Sequence, residues 1–349
     1  MQLAWYVRGM KICILGATGL VGDELLTLIE RNWPEAELQL YASRAREFAR
    51  GDAKLQIHAA EDLEGDAAPK GDLAFVALDD DYSRRYVPRL LEQGYRVIDK
   101  SNTYRMDPKI VLGVAGVNHD LVGEDTYLVA NPNCTTIPFT LAVKPLLDRF
   151  GLESAAVSSY QAISGAGAGP LDQFIADSAE GYAKGDRIGT NFDPTRYAGN
   201  TVPHNGKTDE SGYASEERKL MNESRKILSA ESFAVSAQCC RVPVAVGHYE
   251  NVWLTLERPA TLGELEAAWA DAPFLRYFPG AAGEGLSALA TVHDRDNTLV
   301  GRVRADARDA SGKSWCLTVT ADNLRLGAAT NAVRLATRWF PGRDAALGC

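Results

Sequence analysis

Cys134 stands in Asn131-Pro132-Asn133-Cys134-Thr135-Thr136-Ile137-Pro138, where Asn and Pro end a short apolar run and a helical pattern begins just after the cysteine. Pro138 is compatible with that start, because a proline is tolerated in the first turn of a helix. A thiol at a helix N-terminus feels the positive end of the dipole, which lowers its pKa and favours the thiolate. A thiolate adds to an aldehyde to give a thiohemiacetal, a good hydride donor to nicotinamide, and phosphate can open the thioester that results. The bland alternative is a small buried hydrophobe, the usual state of a single cysteine in a long chain.

Three other segments carry groups suited to such chemistry. Cys239-Cys240-Arg241-Val242-Pro243-Val244-Ala245-Val246-Gly247-His248 places an arginine and a histidine at the two ends of an apolar run. Arginine suits bidentate carboxylate binding, and histidine suits proton transfer near neutral pH. The candidates for a base are few: His58, His119, His204, His248 and His293. Ser158-Ser159-Tyr160-Gln161-Ala162-Ile163-Ser164-Gly165-Ala166-Gly167 ends a strand in a glycine turn whose N–H groups could face an oxyanion or phosphate, or form only a loop. Glu216-Glu217-Arg218-Lys219 sits in a helical pattern with Glu216 and Lys219 as i,i+3 neighbours; by itself it reads as a solvated charged face.

These groups need a scaffold, and the N-terminal third supplies one. Residues 11–15 (KICIL) form an apolar strand, followed by Gly16-Ala17-Thr18-Gly19-Leu20-Val21-Gly22 and an apolar-periodic helix through Leu25, Leu26 and Ile29. Strand, glycine turn and helix open a dinucleotide-binding unit, with pyrophosphate at the helix N-terminus. The second strand ends not in an acid for ribose hydroxyls but in Tyr41-Ala42-Ser43-Arg44-Ala45-Arg46. Hydroxyl and guanidinium groups at Ser43 and Arg44 suit the 2′-phosphate of NADP; a solvated basic loop is the alternative.

Apolar runs at Leu38–Ala42, Leu73–Leu78, Tyr95–Ile98 and Tyr127–Val129, with a helical Ser83–Gln93 among them, predict a Rossmann-type doubly wound parallel sheet. From Thr135 the pattern changes to a helix over about 135–150, then a strand over Ala155–Gln161. A polar stretch from Gly181 to Ser215 follows and reads as long loops. Strand-like Phe233–Val246, Val252–Leu256 and Trp315–Ala321, with a helix at Thr261–Ala270, suit a mixed α+β substrate and dimerisation domain. The expected division is 1–134 for the dinucleotide domain and 135–322 for the second. A C-terminal helix within about 323–349, spanning Ala328–Trp339, packs back on the first.

Composition limits the partners. The chain has 349 residues and is 46% hydrophobic, enough for two domains. A net charge of −9 argues against nucleic acid, since neutralising phosphates needs a basic surface. The six cysteines show no metal-ligand spacing, so no metal is expected. No apolar run reaches membrane-span length, and Met1–Met10 reads as an extension or an early start rather than a secretory leader. The cytoplasm, with reduced thiols, is the expected compartment.

Taken in order, Gly-Ala-Thr-Gly-Leu-Val-Gly at 16–22, Asn-Pro-Asn-Cys at 131–134, Tyr-Gln-Ala-Ile-Ser-Gly-Ala-Gly at 160–167, Glu-Glu-Arg-Lys at 216–219 and Arg-Val-Pro-Val…Gly-His at 241–248 resemble the aspartate-semialdehyde dehydrogenases. Val300-Gly301-Arg302 and Asp322-Asn323-Leu324-Arg325-Leu326-Gly327-Ala328-Ala329 match too, so the likeness runs from about residue 11 to the end. The resemblance implies Cys134 as nucleophile, His248 as general acid/base and Gln161 as the orienting amide. It assigns Arg241 to the α-carboxylate, Glu216 to the α-amino group, Lys219 and Arg105 to phosphate, and Asn133 to the substrate site. It places Gly16, Thr18, Gly19, Leu20, Val21, Gly22, Ser43, Arg44, Ser164, Gly165 and Asn323 on NADP. It also implies a homodimer or homotetramer built through the second domain, and the reduction of β-aspartyl phosphate on the way to lysine, threonine and methionine.

Two segments depart from the family's pattern. Val114-Ala115-Gly116-Val117-Asn118 replaces a Val-Pro-Glu-Val-Asn run, and three acids, Asp79 to Asp81, follow Phe75-Val76-Ala77-Leu78 where small residues are common. Competing readings are a reductase of another acyl phosphate such as N-acetyl-glutamyl phosphate, and a non-catalytic nucleotide-binding paralogue. The first has no use for Glu216, and the second would be expected to lack Cys134. The cysteine and histidine motifs of the glyceraldehyde-phosphate type are not seen.

Overall fold

A computed structural model of the chain describes residues 9–65, 69–183, 185, 189, 191–203 and 206–348. His204 and most of the expected N-terminal extension lie outside them. The chain divides into two compact units, 1–132 with 328–349, and 133–327.

The first unit begins with β1 (Lys11–Leu15), α1 (Leu20–Asn32), β2 (Glu37–Ala42), β3 (Arg46–Arg50), β4 (Ala53–Ala59), β5 (Leu73–Val76), α2 (Asp80–Glu92), β6 (Arg96–Asp99), β7 (Val111–Leu112) and β8 (Leu128–Ala130). These form an eight-stranded sheet in the order β3-β4-β2-β1-β5-β6-β8-β7. All its pairings are parallel except the β3–β4 hairpin. Order reverses between β1 and β5, the switch point outside which such sheets bind ligands. Strands β1 and β5 are buried almost throughout, as expected of parallel strands with both faces covered.

The three acids after Leu78 have structural work. Asp79 caps α2, its Oδ1 accepting the N–H of Asp81 at 3.1 Å and of Tyr82 at 3.2 Å. Asp80 accepts the N–H of Asn102 at 2.8 Å, and Asp81 pairs with Arg84 at 2.6 Å. The second departure is also accommodated: Gly116 takes φ +85°, and Asn118 Oδ1 accepts the N–H of Val114 at 2.8 Å.

The second unit holds α3 (Thr136–Phe150), β9 (Leu152–Gln161), α4 (Ala168–Ala183), β10 (Val202–Pro203), α5 (Ser215–Leu228), β11 (Ala234–Arg241), β12 (His248–Leu256), α6 (Leu262–Trp269), β13 (Leu275–Phe278), β14 (Thr298–Ala305) and β15 (Ser314–Ala321). Its seven-stranded mixed sheet runs β10-β11-β9-β12-β15-β14-β13. Burial alternates along β9, β11 and β12, so each shows one face to the interior. Helices α3 and α5 pack on each other, α5 on β11 and α3 on β12, β14 and β15. Phe139 and Phe233 stack at 6.4 Å between centroids in the core beneath them.

The chain ends in the first unit. A π-helical turn at Arg325–Thr330 precedes α7 (Asn331–Ala336). This helix is shorter than the run expected over Ala328–Trp339. Within that unit Asn331 donates to Asn131 at 2.7 Å and to the carbonyl of Gly113 at 3.0 Å, and accepts the N–H of Ala115 at 2.9 Å. The strand expected over Phe233–Val246 stops at Arg241; Val242–Gly247 turns, its Val244 and Ala245 carbonyls accepting the N–H groups of Ile163 and Ser164. Neither α4 nor the β3–β4 hairpin nor β13 and β14 was foreseen from the sequence.

Candidate active site

Cys134 lies two residues before α3, half-buried. Its Sγ stands 3.2 Å from Nε2 of His248, the first residue of β12, and 3.9 Å from Oδ1 of Asn133. His248 is buried, and its Nδ1 accepts the backbone N–H of Ala162 at 3.0 Å. A nitrogen that accepts carries no hydrogen, so the neutral ring holds its hydrogen on Nε2, facing the sulfur.

The other described cysteines are poor nucleophiles. Burial pushes the thiol of Cys239 up to about 12 and raises those of Cys13, Cys240 and Cys316. Position singles out Cys134 as the thiol beside a histidine.

Gln161 and Arg241 end the neighbouring parallel strands β9 and β11, directly opposite in register. Both are buried. Gln161 Nε2 donates to Ser159 Oγ at 3.2 Å, and its Oε1 meets no donor among the described residues. Arg241 Nη1 donates to the carbonyl of Ala162 at 2.7 Å, so a single residue braces both arginine and histidine. Gly165 fits against the pair: a Cβ there would lie 2.8 Å from Arg241 Nη1 and 3.3 Å from His248 Cε1. Asn323 closes this edge, accepting the N–H of Gly247 at 2.9 Å and exchanging hydrogen bonds with Ser164 Oγ.

Helix α5 faces the nucleophile turn. Glu216 accepts from Asn133 Nδ2 and, at 2.9 Å, from Lys219 Nζ. Asn133 Oδ1 in turn accepts the N–H and Oγ1 of Thr135 at 3.0 and 2.6 Å. The pattern that read as a solvated face thus contains a buried Glu216. Cys134, His248, Gln161, Arg241, Glu216, Lys219, Asn133, Ser164, Gly165 and Asn323 all belong to the second unit.

Arg105 belongs to the first unit, where it is buried and donates to the carbonyl of Lys100 at 2.6 Å. Its loop is anchored by Asp99, which accepts from Ser101 N, Ser101 Oγ and Ser83 Oγ. Burial raises the Asp99 carboxyl, and those hydrogen bonds oppose the shift.

The glycine turn fits a dinucleotide phosphate. Gly16 takes φ +101°, and a Cβ at Gly22 would lie 2.2 Å from the Gly16 carbonyl, so only glycine permits this closeness of turn and helix. Gly19 caps α1 without a side-chain acceptor, leaving the leading helix to offer its N–H groups to an anion. Thr18, Leu20 and Val21 complete that turn and helix start. Ser43 and Arg44 lie exposed in the bend after β2. Arg46 was not singled out by the sequence; its guanidinium donates to Thr18 Oγ1, tying β3 to the turn.

Comparison with known proteins gives consistent matches. Residues 11–124 match the model of the semialdehyde dehydrogenase NAD binding domain, and residues 143–326 that of the semialdehyde dehydrogenase dimerisation domain. An aspartate-semialdehyde dehydrogenase of Aquifex aeolicus is 36% identical over 335 residues, covering 94% of this chain and 97% of that protein. One from Legionella pneumophila is 33% identical, covering 94% and 95%. A crystal structure of aspartate semialdehyde dehydrogenase II complexed with ASA from Vibrio cholerae superposes with a TM-score of 0.84 at 32% identity, covering 95% and 98%.

Proposed function

The chain belongs to the aspartate-semialdehyde dehydrogenase family, and from that premise we propose that it interconverts L-aspartyl-4-phosphate and L-aspartate 4-semialdehyde with NADP as the hydride carrier. The observation that carries the reading is Cys134 Sγ at 3.2 Å from His248 Nε2 in a second unit that also presents Arg241.

In the oxidative direction the Cys134 thiolate adds to the aldehyde carbon, and the bond to sulfur leaves an alkoxide-like oxygen. His248, as general acid/base, serves the proton at that oxygen, with Nε2 at the reacting sulfur and Nδ1 held by Ala162. Arg241 binds the α-carboxylate and Glu216 the α-ammonium, fixing which carbon meets the sulfur. Gln161, with an open Oε1, orients the reacting group, and Asn133 supports the substrate from the nucleophile turn. Lys219 is the second unit's candidate for the phosphate that opens the thioester, and Arg105 is the first unit's candidate for phosphate.

When bound, NADP supplies the hydride acceptor or donor. Gly16, Thr18, Gly19, Leu20, Val21 and Gly22 would hold its pyrophosphate, and Ser43 and Arg44 its 2′-phosphate. Ser164, Gly165 and Asn323 are the candidates in the second unit. A buried Glu216 suits a free ammonium, which favours aspartate over an N-acylated substrate. The dimerisation-domain match over 143–326 supports an oligomer; a homodimer through the second unit is the simplest form. No helix among the described residues is long and apolar enough to cross a membrane. The cytoplasm suits the five described cysteines, all free.

The test follows NADPH absorbance with purified protein, aspartate semialdehyde and phosphate. Turnover that requires phosphate is expected. Its absence in folded, reduced protein, with turnover on another acyl phosphate instead, would sink the aspartate assignment.

A further inference from the structure

Helix α5 reaches the nucleophile turn with two carboxylates, and the reaction as described uses only one. Glu216 and Glu223 stand seven residues apart, two turns along one helix face. Glu223 is 1% exposed, and its Oε2 accepts the backbone N–H of Asn133 at 2.7 Å. The residue that precedes Cys134 is therefore held twice: Glu223 takes its backbone and Glu216 its side-chain amide. Asn133 Oδ1 then fastens Thr135 on the other side of the cysteine. The helix making this grip is itself anchored, with Arg225 Nε donating to the carbonyl of Phe233 at 2.9 Å.

A carboxylate taken out of water is expensive unless its hydrogen bonds are made, and an apolar side chain of the same length would fill the space more cheaply. A side-chain oxygen that accepts a backbone N–H does so at a defined distance and direction, which suits it to fixing a turn rather than merely filling a core. We propose that Glu223 is a positioning residue for the reaction: by holding the Asn133 amide it sets where Cys134 Sγ stands against His248 Nε2. This rests on Cys134 being the nucleophile. Reaction rates fall steeply when a nucleophile is displaced by fractions of an ångström, so the grip should be legible in turnover.

The test compares Glu223→Met, which is of similar length and cannot accept, with Glu223→Gln, which keeps an acceptor oxygen. Turnover, KM for the semialdehyde and the pH dependence of Cys134 alkylation by iodoacetamide are measured on variants shown to be folded by circular dichroism, with Cys134→Ala beside them. In Glu223→Met we expect kcat to fall about 10- to 100-fold, KM to move by less than about threefold, and the alkylation profile to shift. Glu223→Gln should keep at least about a third of kcat and the wild-type alkylation profile. A folded Glu223→Met with kcat within about twofold of wild type overturns the proposal. So does a folded Glu223→Gln that loses more than about tenfold, which also decides the matter should the Met variant not fold. Turnover by Cys134→Ala would overturn the nucleophile and the positioning role together. An inert Cys134→Ala beside a fully active Glu223→Met would overturn the positioning alone.

Discussion

Gln161, Arg241 and His248 line one end of the buried face of the second sheet, and Glu250 lies one step further in on that same face. Glu250 is two residues from His248 on β12 and stands opposite Ser159 on β9 and Val319 on β15. At the edge, His248 and Arg241 are braced by the two polar groups of Ala162. One step in, both carboxylate oxygens of Glu250 meet no hydrogen-bond partner among the described residues. The difference shows how burial acts: beside a supply of backbone donors and acceptors it orients polar groups, and without one it suppresses their charge.

The edge is broken most completely at its nucleophile. Cys134→Ala should lower kcat for NADPH formation by at least about 10⁴-fold, since burial raises the other described thiols and disfavours their thiolates. Residual turnover above a hundredth of wild type would show that the edge does not work through this sulfur. Arg241→Leu should cost about 100-fold in kcat/KM for the semialdehyde, the scale of losing a buried charge from a charged ligand. Steady-state kinetics check it, and an unchanged kcat/KM would mean that the carboxylate is bound elsewhere.

A smaller perturbation tests how tightly the edge is packed. In Gly165→Ala the new methyl carbon would sit 2.8 Å from Arg241 Nη1 and 3.4 Å from His248 Nε2, so one or both groups must shift. A drop of about tenfold in kcat with little change in melting temperature is expected. An enzyme as active as wild type would show slack where the geometry indicates contact.

Much of this was legible in the sequence where the signal is local. The strand, glycine turn and helix over Lys11–Asn32 stand as read, because turn glycines and helix periodicity act over a few residues. The pairing of Cys134 with His248 spans 114 positions and was reachable only through ordered motifs, since nothing in spacing shows that β12 starts beside the nucleophile turn. The partners of Arg46, Asp79 and Glu223 were not legible for one reason: a charged residue in a basic stretch, in an acidic run or on a helix looks the same whether it meets solvent or a specific partner. The π-turn at Arg325–Thr330 broke the C-terminal helix for a reason that periodicity does not report.

Glu250 offers the smallest effect and the one that sharpens the contrast furthest. Burial alone raises its carboxyl well above the ordinary value of 4.5. In the unfolded chain the group ionises near that ordinary value, so between it and the higher folded value the native state binds the extra proton. The contribution of this group to stability is then fully present below about pH 4.5 and declines as pH rises, by at most about 1.4 kcal/mol per pH unit. The neighbouring thiol of Cys239, pushed up to about 12, stays neutral across this range and does not cancel the trend. Glu250→Gln removes the titration and leaves a constant offset from its amide. Thermal melts of wild type and Glu250→Gln taken from mildly acidic to mildly alkaline pH should therefore diverge, the variant gaining on wild type as pH rises. Parallel melting curves would mean that the carboxyl finds a donor in solution, and the two ends of this sheet face would then differ in position only.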